Sequence, residues 1–567
     1  MTVAESGAVA VPFSSAGRRV RGRFRDTTGV HALVVWAAVV AALGGCSRDA
    51  TRPTVSLVAE AKGSESDTFR LRIVVTGNGQ VKPGGLGEPC SDDCTFHALR
   101  GKTVELKATG KEDVFHQWST RCGREATCKV KMASDLVIRA EFGLDRYEPA
   151  WAVPLTSSEC VVFNWLAAGE QVVVSGGFWG TATLGPFTLT NTDRDDGIVT
   201  ALRRGNGDVA WAQRFGGKGF EWVSSPQVLP GGRVVASLFL SGGVSATTGQ
   251  ASAPVHEGRI IWMDRDTGAM VDSVQLADKV DAIRRLDDGG VIALIDGHNS
   301  FTVSRFSATG PRTPLWSKVL RASDVVSVRP MAIGRRGEVF VAGNLKGTPQ
   351  FTAAWKGIPP LTADWKPFFV RLDGATGVVR SARWIGWQQK RHVLSMASDG
   401  RHVVLVGGVE RDRDTDAFVT AVSLDGVLLW DRVYKGRHRL GGSFISSVDV
   451  SGEGIAVAGS TRGEITAGKL TIGKSGQNTA FIIEYSAKGD VVWSFAQPRD
   501  RGEAIAIARD QEGDLYVTGS FQTAFDFAGQ TIWPHPSRRH CGSAYVAKFA
   551  RTGDRSGQRS PSPQAAP

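Results

Sequence analysis

Seven copies of an apolar strand pattern, no helical periodicity beyond the N-terminus, and six cysteines behind an export signal predict the fold class. It is all-β: a small disulfide-bonded β domain followed by a seven-bladed β-propeller closed by an N-terminal strand. The composition agrees. Gly is abundant (68) and Pro modest (23) in 567 residues. Gly supplies the positive φ of tight turns, and β-branched and aromatic residues suit pleated surfaces. The formal charge is +11, but five arginines between Arg18 and Arg25 lie in the export segment. Set against Glu5 and Asp26 they carry +3, which leaves +8 on the rest. A mildly basic surface of that size gives no reason to expect nucleic acid as a partner.

The N-terminus comes first in the chain. A basic stretch from Arg18 to Arg25 precedes the apolar run Ala32 to Leu43, and Leu43-Gly44-Gly45-Cys46 follows. A basic region, a dozen apolar residues and small residues before a cleavage point read as a secretory signal. Leu-Gly-Gly-Cys resembles the lipobox of bacterial lipoproteins. The resemblance implies acylation (palmitate or a similar chain) of Cys46, cleavage before it, and stable anchoring by two or three chains. Ser47 stands where an Asp would imply inner-membrane retention, so the expected address is the outer membrane, facing the cell surface or the periplasm. The expected boundaries are a signal peptide over 1–45 and a lipidated tether over 46–67.

Residues 68–143 alternate with period two, as in Phe69-Arg70-Leu71-Arg72-Ile73, Thr103-Val104-Glu105-Leu106 and Leu136-Val137-Ile138-Arg139. Half-buried strands of a small β domain are expected. Cysteine spacing supplies the staples. Cys90 and Cys94 are neighbours, as are Cys122 and Cys128, which leaves Cys160 with Cys541. A four-Cys zinc site is the rival reading of the first four, with spacings unlike those of zinc knuckles. The segment resembles the divergent internalin B-type repeat through Val75-Thr76-Gly77-Asn78-Gly79, the four cysteines, Phe115-His116-Gln117-Trp118 and Ala140-Glu141-Phe142. The resemblance implies a spacer or adhesive unit in which His116 and Trp118 pack.

The repeats occupy 148–554. The pattern reads VVVSGGF from Val172, VVASLFL from Val234, VIALIDG from Val291, VFVAGNL from Val339, VVLVGGV from Val403, IAVAGST from Ile455 and LYVTGSF from Leu515. Its fifth position is Gly except at Leu238 and Ile295. Units of this length with only strand signals predict blades of four strands. A short strand precedes each copy; a third strand such as Ala417-Phe418-Val419 follows, then a Gly turn and a fourth strand that often carries Trp: Trp211, Trp316, Trp430, Trp493. The last copy has no fourth strand after it. Pro149-Ala150-Trp151-Ala152-Val153 looks like the missing one, and a Cys160–Cys541 disulfide would lock that junction. These copies resemble the bacterial seven-bladed propeller repeat with its Ala-Phe-Val and Gly-x-Val-x-Trp strands. Residues 555–567 read as a disordered tail.

No His-Glu-x-x-His, Gly-x-Ser-x-Gly or Walker loop occurs. Asp264-Arg265-Asp266-Thr267-Gly268 resembles a turn of quinone-dependent propellers, but Met270-Val271-Asp272 departs from it. Asp193, Asp195, Asp196 and Asp412, Asp414, Asp416 read as solvated turns rather than Ca²⁺ loops. No metal or cofactor is expected. Binding is placed on the connections between second and third strands, at Trp179, Trp355, Trp365 and Trp533; the alternative is that these connections fold back to extend the blades. The functional expectation is a non-catalytic, monomeric lipoprotein, anchored through its lipid, whose propeller binds a protein or polysaccharide. A periplasmic scaffold for outer-membrane assembly and a propeller enzyme (lyase or glycosidase) are the alternatives.

Overall fold

The computed structural model describes residues 67–552, apart from 77–78, 111–113, 119–125, 144–145, 218, 242–255, 298, 309–312, 325, 351–354, 357–365, 388–390, 411–413, 437–441, 453, 468–469, 474–477, 498–501 and 536–542. All regular structure in them is strand. No helix among them is long and apolar enough to cross a membrane. The expected signal peptide, Cys46 and the tether up to Ser66 lie outside the described residues, as does the tail.

Residues 68–143 form two sheets. One has four strands in the order Asp93–Leu99, Thr68–Thr76, Leu136–Gly143, Val114–Trp118; the other has three, Gly79–Pro83, Thr103–Gly110 and Thr127–Lys131. Leu71, Ile73, Val104, Leu106, Ile138, Ala140 and Trp118 fill the space between them. The alternation seen in the sequence is therefore the in–out alternation of two packed sheets. Cys90 and Cys94 are disulfide-bonded, with Cα atoms 5.8 Å apart.

Beyond Arg146 the strands fall into successive antiparallel sheets. The first holds Cys160–Ala168, Gln171–Trp179, Asp196–Arg203 and Val209–Phe215 in chain order. The second to sixth span 220–276, 280–321, 326–384, 391–434 and 443–496. The seventh takes Gly502–Arg509, Leu515–Phe521 and Ser543–Arg551, and its next strand is Tyr147–Ser157, antiparallel to Ser543–Arg551 with Val546 opposite Val153. All seven copies of the apolar pattern are second strands. First strands pack on first strands of the next sheet, and Gly502–Arg509 packs on Cys160–Ala168. The array is propeller-like.

The expectation of a closed propeller of four-stranded blades is corrected. Among the described residues no sheet closes; each is open, and neighbouring sheets meet through side chains. Two sheets also exceed four strands. In the seventh, Thr181–Leu184 adds to the outer edge of Tyr147–Ser157, making six with Phe187–Thr190. In the fourth, Trp355–Lys356 lies parallel on Val379–Trp384, making five. The physical reason is that an outermost strand keeps a row of unpaired N–H and C=O groups, which here recruit further strands from the same chain.

The recurrent Gly has a local cause. Each first strand carries a bulge opposite that position. A Cβ at Gly176 would stand 1.8 Å from the Val162 carbonyl oxygen, and one at Gly519 1.8 Å from that of Glu503. Near Leu238 the bulge takes a different register and a side chain fits; Ile295 keeps the register seen at the glycines and still carries a side chain.

Candidate functional site

The fourth-strand tryptophans are latches between sheets. The Trp211 indole N–H donates to the Arg265 carbonyl, that of Trp316 to Gly374 (3.2 Å) and that of Trp430 to Ala487 (3.0 Å). Each ring lies over a glycine in the next sheet's turn, Gly268, Gly377 and Gly489, all at positive φ. So in Gly-x-Val-x-Trp the Gly receives the previous sheet's Trp, and the Trp, four residues on, reaches the next sheet's Gly. Trp151 obeys the same rule: its N–H donates to the Arg204 carbonyl at 3.1 Å and its ring lies over Gly207. Tyr147, four residues before Trp151, takes the glycine's place and meets Trp493 edge-on at 5.1 Å. These rings are committed to packing.

Charged groups gather where Tyr147–Ser157 joins the seventh sheet. Arg509 bonds Glu484 at 3.1 Å, the Tyr147 hydroxyl donates to the same carboxylate at 3.3 Å, and the Asp449 carboxylate accepts the Arg509 backbone N–H at 3.3 Å. Burial raises the pKa of Glu484, of Asp449 and of the Tyr147 hydroxyl, with Arg509 pulling the other way at all three. On the next turn Asp510, Glu512 and Asp514 bring carboxylate oxygens within 4.8 Å of one another, the one such cluster among the described residues. Its partners are already supplied: Arg204 reaches Asp510 and Glu512, Lys548 reaches Asp514 at 2.7 Å, and the Tyr516 hydroxyl donates to Asp510. The arrangement is an ion-pair network rather than a vacant metal centre.

The aspartates before third strands correct a second expectation. Asp195, Asp196 and Asp416 are buried, not solvated. Asp196 accepts from the Thr192 backbone N–H and pairs with Arg214 at 2.8 Å; Asp416 accepts the Gly436 N–H at 3.1 Å. These side chains tie the second-to-third connection to the end of the fourth strand. Asp193 is exposed, and Asp412 lies outside the described residues. Glu221, which the sequence did not single out, is the neighbour of this cluster. Its backbone N–H donates to the Asp195 carbonyl at 2.9 Å and its side chain is 3 % exposed. Burial, opposed by the Gly217 N–H and reinforced by Asp196, Asp193 and Asp195, pushes its carboxyl up to about 7. An acid flanked by apolar Phe220 and Trp222 was the only available signal.

Among the described residues the second-to-third connections carry three short hairpins: Thr181–Leu184 with Phe187–Thr190, Ile465–Ala467 with Leu470–Ile472, and Phe525–Phe527 with Gln530–Ile532. The first and third both pack on Tyr147–Ser157. Trp179 enters the first hairpin, half-buried, its carbonyl accepting from Ser157. Trp533 leaves the third and is 68 % exposed, the most exposed large apolar side chain among the described residues. The structure thus brings Trp179 and Trp533 to connections that share one supporting strand. Trp355 begins the added strand of the fourth sheet, away from both, and Trp365 lies outside the described residues. Cys128 and Cys160 are each disulfide-bonded; their expected partners Cys122 and Cys541 lie outside the described residues.

No family model matches the chain. No curated protein matches it either. Among solved structures it is similar to the Dos1 propeller (9 % identity, 71 % of this chain and 95 % of that one, TM-score 0.40). It is also similar to BamB from Moraxella catarrhalis (13 %, 72 % and 98 %, 0.35). A third is Sqt1 from Chaetomium thermophilum bound to the N-terminus of ribosomal protein L10 (10 %, 72 % and 99 %, 0.37). At TM-scores below 0.5 these likenesses decide nothing about function.

Proposed function

We propose that the protein is a lipid-anchored binding protein of the outer membrane, and that it offers a protein or polysaccharide partner the hairpins of its first and seventh sheets. The observation that carries this reading is Trp533, held out in solvent at the end of a hairpin seated on a packed sheet. A large aromatic ring on a rigid support binds at low entropic cost. The fourth-strand tryptophans are occupied in packing, which concentrates the recognition chemistry on this face. The anchor rests on Leu43-Gly44-Gly45-Cys46, and the disulfide partners on Cys122 with Cys128 and Cys160 with Cys541. The segment boundaries 1–45, 46–67, 68–143, 148–554 and 555–567 are part of the same proposal.

Cell fractionation tests the address. Replacing Cys46 with Ser is expected to move the protein from membranes to the soluble fraction; unchanged partitioning refutes the anchor. Protease treatment of intact cells then separates surface display, in which the protein is digested, from a periplasmic scaffold, in which it survives.

A further inference from the structure

The outward face of the three-stranded sheet in residues 79–131 carries Lys82, Lys107, Lys129 and Lys131, all exposed, against a single acid, Glu105. Register places Lys82 directly opposite Lys107, Glu105 opposite Lys129, and Thr103 opposite Lys131. Glu105 is taken by Lys129 at 3.5 Å. Lys82, Lys107 and Lys131 make no ion pair among the described residues. Like charges directly opposite on neighbouring strands destabilise a sheet. The pair is retained although Gln or Thr, which fill the rest of this face at Gln80, Thr103, Thr109 and Thr127, would avoid that cost.

We propose that this face docks on an anionic lipid surface. The charges are spread over a flat sheet rather than gathered in a groove, which matches a laterally uniform plane of headgroups. They are lysines, compact point charges, rather than arginines built for bidentate capture. No aromatic side chain lies on this face to stack on a sugar, which disfavours an acidic glycan. Each lysine held at such a surface is worth about a fivefold gain in partitioning, and the effect fades within a Debye length of about 8 Å. The proposal stands on the face alone and does not need the lipid at Cys46.

The test is amine labelling of the full chain on vesicles, read by mass spectrometry at each lysine. On vesicles of phosphatidylcholine and phosphatidylglycerol in equal parts, Lys82, Lys107 and Lys131 are expected to acetylate at least fivefold more slowly than on phosphatidylcholine alone. Exposed Lys318 and Lys488 serve as internal controls and should not change. High salt should abolish the protection. The triple variant Lys82→Gln, Lys107→Gln, Lys131→Gln should fold as well as the wild type and lose the phosphatidylglycerol-dependent part of its vesicle binding. Equal labelling on both vesicles overturns the proposal. So does protection by dextran sulfate with none by phosphatidylglycerol, which would assign the face to a soluble polyanion. A chain that leaves phosphatidylcholine vesicles refutes the anchor at Cys46 and leaves the charge-dependent comparison intact.

Discussion

Replacing Trp151 with Ala should loosen the junction between the first and seventh sheets. The ring is half-buried, lies over Gly207 and sits 6.0 Å from the Tyr516 ring, and its N–H is satisfied by the Arg204 carbonyl. Truncating a fully buried Trp costs about 3–5 kcal/mol, and a lost neutral hydrogen bond about 1 kcal/mol. Half burial brings the expected total to about 3 kcal/mol. Gly207 sharpens the test. It has φ +78°, and a Cβ there would stand 2.7 Å from Trp151. Gly207→Ala alone should therefore cost a backbone penalty of about 1–2 kcal/mol plus the clash. In the double variant the clash with the ring is relieved while the contact with Val153 Cγ2, also 2.7 Å from the Cβ, remains, so the two costs should fall short of additivity by about 1 kcal/mol. Urea denaturation followed by circular dichroism measures all four proteins, with Trp430→Ala as the reference latch. If Trp151→Ala costs under about 0.5 kcal/mol while Trp430→Ala costs several, the pairing of Tyr147–Ser157 with the seventh sheet is wrong.

Glu221→Gln should flatten a pH dependence. A carboxyl raised to about 7 stabilises the folded state below its unfolded pKa of 4.5, and that stability is lost as pH rises towards 7. The variant should match the wild type at pH 4.5 and exceed it by about 2–3 kcal/mol at pH 8 in denaturant titrations; parallel curves would refute the assignment. Arg509→Ala removes the guanidinium between Glu484 (3.1 Å) and Asp449 (4.0 Å) and leaves Glu484 with Arg146 at 3.3 Å, so a loss of about 3 kcal/mol is expected in the same assay. A loss below about 1 kcal/mol would refute Arg509 as the cation on which these acids depend. Non-reducing peptide mapping should recover Cys160 linked to Cys541; a link to Cys122 would refute that pairing.

The repeats were legible because their signal is local. An apolar strand ending in Gly reports the bulge beside it, and Gly-x-Val-x-Trp contains both halves of the latch. Tyr147-Glu148-Pro149-Ala150-Trp151 was recognisable by its Trp, although Tyr147 replaces the Gly. What the sequence hid depends on partners far along the chain. Asp195 and Asp196 look like a polar turn until Arg214 and the end of the fourth strand close over them. Glu221 is a single acid in an apolar strand, and only the fold surrounds it with carboxylates. That second-to-third connections fold back to extend the sheets was legible, but Thr181–Leu184 and Trp355–Lys356 are too short for alternation to show which strands add to the seventh and fourth sheets.

The binding face at Trp533 is best tested by a photo-crosslinking residue at position 533 in living cells. The same residue at Leu429, which is 55 % exposed on an outer strand of the fifth sheet, is the control. A discrete adduct from position 533 and none from 429 is the expected result; equal adducts, or none from 533, would contradict a partner at the hairpins.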